Sequence, residues 1–183
     1  MPNVDNPHGF RPLCRNVYGG ASKTMPAHKL AANDAAIFIH DAVAKVTAGI
    51  KKTPCVTAKA ASVTPGTTPI VGVALNYGAA LTATDHLLIP ATGEVFECQD
   101  NNDTDGVSAG NINCNANIEL NAGSALTQIS GHELDESTIA ATATLDVHIL
   151  GLLDTPNNDF GSFARVMITF SRPANADQSL GVA

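Results

Sequence analysis

Between residues 30 and 170 no apolar stretch holds a helical period; the hydrophobic residues come as short runs, each closed off by glycine, proline or asparagine. A chain that buries its apolar side chains only in such pieces folds as strands, since a strand needs a handful of residues where a helix needs ten or more. The runs fall at residues 52–59, 69–75, 86–89, 95–99, 118–120, 142–153 and 163–170. Residues 36–46 join them: alanine there favours helix, but Ile37, Phe38, Ile39, Val43 and Val46 favour strand. Only residues 130–139 carry a local helix signal, with Ser130 three positions before Glu133 as in a capping box, so one or two helical turns are expected there. Residues 100–117, rich in Asn, Asp and Gly, read as a surface loop. No period of 20 to 50 residues repeats, which excludes a solenoid.

Charge divides the chain in two. Residues 1–60 hold eight Lys and Arg against three Asp and Glu, residues 61–183 hold two against fourteen, and no Lys or Arg stands between Lys59 and Arg165. The basic third is expected to dock onto a partner, and the acidic remainder to be a body held in water. A net charge of −7 repels phosphate, and the basic residues are not interleaved with aromatics on which bases stack, so nucleic acid is not an expected partner. With aromatics at 4% and no Trp, small side chains must fill the interior of a single domain, one that hides about 70% of its unfolded surface. The first residues lack a signal peptide's charged and apolar regions, and nowhere do eighteen apolar residues run together, so a soluble product, not Sec-exported and without a membrane partner, is expected. Cys14, Cys55, Cys98 and Cys114 form no C-x-x-C pair and are expected to be free thiols.

Residues 1–29, punctuated by prolines and without a lasting period, read as an extended N-terminal arm; residues 30–172 as the β domain; residues 173–183 as a polar C-terminal tail. Fifteen residues extended at about 3.3 Å each reach about 50 Å, enough to cross a neighbouring subunit. The expected fold is mainly β: a single β-sandwich or barrel-like domain, of jelly-roll or β-tulip type, with that arm and at most one short helix.

Motifs for chemistry are sparse. Asn101-Asn102-Asp103-Thr104-Asp105-Gly106 offers oxygens and a turning glycine, but the twelfth position of an EF-hand loop would be Ile112 rather than a bidentate Glu, so a solvated turn is the expected reading. His132-Glu133-Leu134-Asp135-Glu136 begins like a zincin helix and then places Glu136 where the second His should stand, so Glu133 is read as a cap. His40, His86 and His148 lie in apolar runs, where a neutral ring bonded to backbone is the ordinary outcome. The Asn102-Asp103-Thr104 sequon has no consequence without secretion, and neither a G-x-S-x-G elbow nor a phosphate-cradling glycine loop occurs. With no cation across the centre of the chain to hold an oxyanion, no enzymatic activity is expected, and no catalytic residue, metal or cofactor.

Pro7-His8-Gly9-Phe10-Arg11-Pro12-Leu13, Ala36-Ile37-Phe38-Ile39-His40-Asp41-Ala42-Val43 and Ile70-Val71-Gly72-Val73-Ala74 together resemble a family of tailed-bacteriophage virion proteins. The likeness continues in order through Leu88-Ile89-Pro90, Val95-Phe96-Glu97-Cys98-Gln99-Asp100, Ser130-Gly131-His132-Glu133-Leu134-Asp135, Ile149-Leu150-Gly151-Leu152, Asn157-Asn158 and Val166-Met167-Ile168, and so spans nearly the whole chain. The resemblance implies a capsid decoration, or head cement, protein: made in the host bacterial cytoplasm, seated on the capsid exterior, clamping neighbouring subunits of the phage major capsid protein, and assembling with copies of itself as a homodimer or homotrimer. The expected capsid contacts are Pro7, His8, Phe10, Arg11, Pro12, Leu13 and Arg15. Competing expectations are a glycan-binding or host-adhesion β domain, which needs aromatic faces where the chain has no Trp and only Tyr18 and Tyr77, and a tail or connector component.

Overall fold

The computed structural model of the chain describes residues 3–16, 24–28, 36–45, 56–58, 69–80 and 85–173. Its strands are β1 (Arg11–Asn16), β2 (Met25–His28), β3 (Ala42–Lys45), β4 (Val56–Ala58), β5 (Ile70–Ala74), β6 (Asp85–Pro90), β7 (Glu94–Gln99), β8 (Asn115–Asn121), β9 (Gly131–Ala140), β10 (Val147–Leu152) and β11 (Arg165–Phe170), with one 3-10 turn at Ala109–Asn111. They form a six-stranded sheet, β1-β7-β11-β10-β8-β9, and a five-stranded sheet, β2-β6-β5-β3-β4. All neighbouring strands within the sheets run antiparallel. The fold is thus mainly β, a sandwich-like domain.

Strand periodicity shows which faces are covered. In β11 Val166, Ile168 and Phe170 are buried while Arg165, Met167 and Thr169 alternate with them half-buried, the mark of a sheet with one face on a core. In β5 and β7 every residue is buried, so those strands are covered on both sides. The main core lies between the sheets: Ile70, Val73 and Ile89 meet Phe96, Cys98, Ile118, Leu134, Ile149, Val166 and Ile168. A smaller cluster of Ile37, Val43, Val71, Ala74 and Leu88 covers the far face of the smaller sheet.

Strands 1 and 2 correct the expected domain boundary. The β domain does not begin at residue 30, because β1 edges the larger sheet and β2 the smaller. Phe10, read as part of a free arm, has no exposed surface; its ring lies 5.3 Å from Phe170, which in turn lies 5.2 Å from Phe96. In a chain with six Phe and no Trp this trio supplies much of the bulk that small side chains cannot. Gly9 holds the approach: with φ of +70° and a virtual Cβ 2.5 Å from both the His40 carbonyl oxygen and Ser130 Cβ, no other residue fits.

The expected helix at 130–139 is strand β9. Ser130 Oγ does accept an N–H, but that of His132, two residues on; long-range pairing of Ile118 with Leu134 and Leu120 with His132 then overrides the local cap signal. The other runs fall on strands or beside them. Residues 36–41 form a connector in which Ile39 N–H donates to the Gln128 carbonyl and Ser130 N–H to the Ile39 carbonyl, both at 2.9 Å, before β3 begins. Of the 52–59 run only β4 is described, and the polar tail beyond Pro173 lies outside the described residues.

Phe10→Ala is expected to lower stability by about 3–5 kcal/mol, read as an earlier urea midpoint, whereas Val4→Ala, at a side chain 74% exposed, leaves the midpoint in place.

Candidate functional site

Along β7, Phe96 and Cys98 face the core and Glu97 and Gln99 the opposite side, which an antiparallel edge region ordinarily gives to water. Residues 3–10 cover that side, leaving Glu97 1% and Gln99 2% exposed. Arg11 pairs with Glu97 in the β1–β7 register, and Arg165 with Gln99 in the β11–β7 register. Three cationic or ionisable groups therefore converge on one carboxylate: His8 Nε2 at 3.4 Å and Arg165 Nη1 at 3.4 Å from Oε1, and Arg11 Nε at 3.6 Å from Oε2. Burial by itself would raise the Glu97 pKa; the hydrogen bond from His8 and the charges of His8, Arg11 and Arg165 outweigh it and hold the carboxyl below its ordinary value. The His8 ring also directs Nδ1 at the Asn6 carbonyl, 3.0 Å away, so both ring nitrogens face oxygen atoms.

Amide side chains tie the covering segment down. Gln99 Nε2 donates to the Val4 carbonyl at 2.7 Å and the Phe163 carbonyl at 3.0 Å, while its Oε1 accepts the Asn6 N–H at 2.8 Å. Asn3 Nδ2 donates to the carbonyls of Asp159 and Ser162, and its Oδ1 accepts the Asp159 N–H. His40, with its pKa lowered chiefly by burial, places Nδ1 3.1 Å from the His8 carbonyl. A cavity of about 690 Å³ remains between segment and sheet, lined by His8, Arg11, His40, Glu97, Asn157 and Phe163 among others.

Of the seven expected contact residues, the structure places His8 and Arg11 on Glu97 and sinks Phe10 in the core; Pro7 is exposed, Pro12 and Leu13 are half-buried, and the Arg15 side chain lies outside the described residues. Glu97, Gln99, Asn3 and Arg165 escaped sequence reasoning. For Glu97 and Gln99 the signal was the odd positions of the β7 run, but nothing local says that a distant segment will cover them.

The zincin-like pair falls apart on β9, because neighbours in a strand point to opposite faces. His132 turns inward, accepting the Ala42 N–H at Nδ1 with Nε2 3.5 Å from Asp41. Glu133 turns outward beside its register partner Glu119 and accepts from Asn121 Nδ2 at 3.0 Å. Burial, with Asp5, Glu119 and Asp100 near, pushes Glu133 up to about 7. In the Asn/Asp loop the oxygens do not converge: buried Asp100 accepts the N–H groups of Asn102 and Ala164, Asn101 donates to Glu119, and Asp103 and Asp105 are exposed. Among the described residues no group of three or more His, Cys, Asp or Glu is placed to hold a metal ion.

The acidic half is also less of a surface than its charge count suggests. Glu94, Glu97, Asp100, Glu133, Glu136 and Asp146 are all buried. Cys98 lies in the core, where burial pushes its thiol well above its usual value. No helix among the described residues is long and apolar enough to cross a membrane. Comparison with family models, with curated proteins and with solved structures returns no match.

Because Glu133 titrates near 7 when folded against 4.5 ordinarily, its proton is favoured by the native state; the stabilisation is whole below pH 4.5 and lost as pH rises through 7. Glu133→Gln is therefore expected to match the parent at pH 4 and exceed it at pH 8 by about 1–2 kcal/mol, seen as a higher melting temperature at the alkaline end alone.

Proposed function

We propose that this chain is a virion structural protein that binds the outer surface of a tailed-phage head and stabilises it by bridging neighbouring major capsid protein subunits. The sequence resemblance supports the reading, and one geometric observation carries it. The leading segment runs extended over the larger sheet with Pro7 exposed and Arg11 57% exposed, while Phe10 between them is rooted in the core. A grip built this way passes load from the contact into the body through covalent chain and a buried ring. The contact residues on this reading are Pro7, His8, Arg11, Pro12, Leu13 and Arg15; Phe10 drops out as a contact and becomes the root. Binding the assembled shell in preference to separated subunits is by itself stabilising, and about 800 Å² per partner is enough for a specific contact.

The cavity supports one alternative, a glycan-binding or host-adhesion domain, because polar side chains such as Asn6, Arg11 and Asn157 line it. Against it, Phe163 is the sole aromatic among the described residues that line the cavity. A tail or connector position is the remaining alternative within the virion.

Heads lacking the protein should recover it on co-sedimentation, at a copy number set by the shell lattice rather than by a single ring. Pro7→Glu, at an exposed position outside the Glu97 cluster, is expected to weaken that binding about tenfold with little change in melting temperature. Absence of binding to heads, or binding of isolated protein to a glycan array with no affinity for heads, overturns the proposal.

A further inference from the structure

We infer that residues 3–7 are an exchangeable strap, and that their seat on Gln99, Asp159 and Ser162 takes the same segment from a second copy of this chain. Recognition at this seat reads main chain. The Gln99 amide grips the Val4 carbonyl and the Asn6 N–H, two residues apart in an extended segment, as a neighbouring strand would. Asn3 is the exception that sets register, placing its side chain on the backbone of Asp159 and Ser162. The side chains between contribute little burial: Val4 is 74% exposed, and Asp5, Asn6 and Pro7 are exposed as well.

Such a hold is weak. Across residues 3–7 five hydrogen bonds, each of modest net value in water, stand against the ordering of the backbone, two contributions of the same size; His8, 3.4 Å from Glu97 and met at its carbonyl by His40, stays with the pivot. The apolar burial that would decide between them is missing, since Val4, the only large apolar side chain among residues 3–6, is 74% exposed. Release ends at a defined point. Gly9 is wedged against His40 and Ser130, and Phe10 is buried, so the pivot lies within Asn6-Pro7-His8.

The occupant follows from the fit. Any segment that fills the seat must offer a carbonyl and an N–H at the Val4 and Asn6 spacing with an amide at the Asn3 position, and every copy of the chain carries one that does. Exchange between copies recreates the same contacts without loss, and five extended residues reach about 17 Å, which suits copies held side by side. What brings copies together rests on the head-binding reading; the exchange itself does not, and it is testable without heads.

An intramolecular strap competes with a neighbour's at an effective concentration of about 1 mM. The full chain carrying a photoreactive benzophenone side chain in place of Asp5, which is exposed and lines the cavity, is mixed in equal parts with the same protein made in heavy isotopes and irradiated. Cross-links from the strap to residues 156–165 should join like isotopes only at about 10 µM and include about a quarter mixed pairs near 1 mM. Gln99→Ala should lower the yield of both kinds. Like-isotope links at every concentration, mixed links that map elsewhere, or yields indifferent to Gln99→Ala would each overturn the inference. A head-binding failure alongside mixed strap links would instead count against the proposed function alone.

Discussion

Asp100 is where the larger sheet is held to itself. It follows β7 directly, has no exposed surface, and accepts the N–H groups of Asn102 at 2.6 Å and Ala164 at 2.8 Å, while its own N–H donates to the Ala164 carbonyl. The next residue, Asn101, donates its N–H to the Leu134 carbonyl of β9, so the far edge strand curls round to meet the end of β7. A carboxylate in this position raises its own pKa by burial, partly offset by the backbone donors it satisfies. The larger penalty lies in the alternative, since those N–H groups would otherwise be buried without acceptors.

The same device recurs wherever the strands leave a gap. Asp41 accepts the Phe38 N–H in the connector between the sheets, Asp146 lies 3.4 Å from the Ile118 N–H, and Glu136 takes both the N–H and the hydroxyl of Thr104. Backbone donors serve these acids, in a chain without Lys or Arg from position 60 to 164. Glu97 is served by Arg165, Arg11 and His8, and it marks the place where a segment from the other end of the chain is fastened.

That fastening joins the two roles of the leading segment. Phe10 belongs to the core and cannot leave without unfolding it, whereas residues 3–7 rest on amide contacts. The leading segment thus has one end rooted in the core and the other held at the surface by hydrogen bonds to Gln99, Asp159 and Ser162.

The amino-acid order by itself determined the class of fold. Short apolar runs at 69–75, 95–99 and 163–170 became β5, β7 and β11 because short β-branched and aromatic runs closed by turn residues admit little else. The N-terminal motif, too, was visible as a unit. Tertiary structure alone decided that residues 130–139 are strand rather than helix, that Phe10 faces inward while Arg11 faces out, and that six carboxylates of the acidic half lie inside. These outcomes turn on contacts between residues about 12 to 160 positions apart, Leu120 with His132, Ala164 with Asp100, Asn3 with Asp159, whose free energies outweigh local propensity.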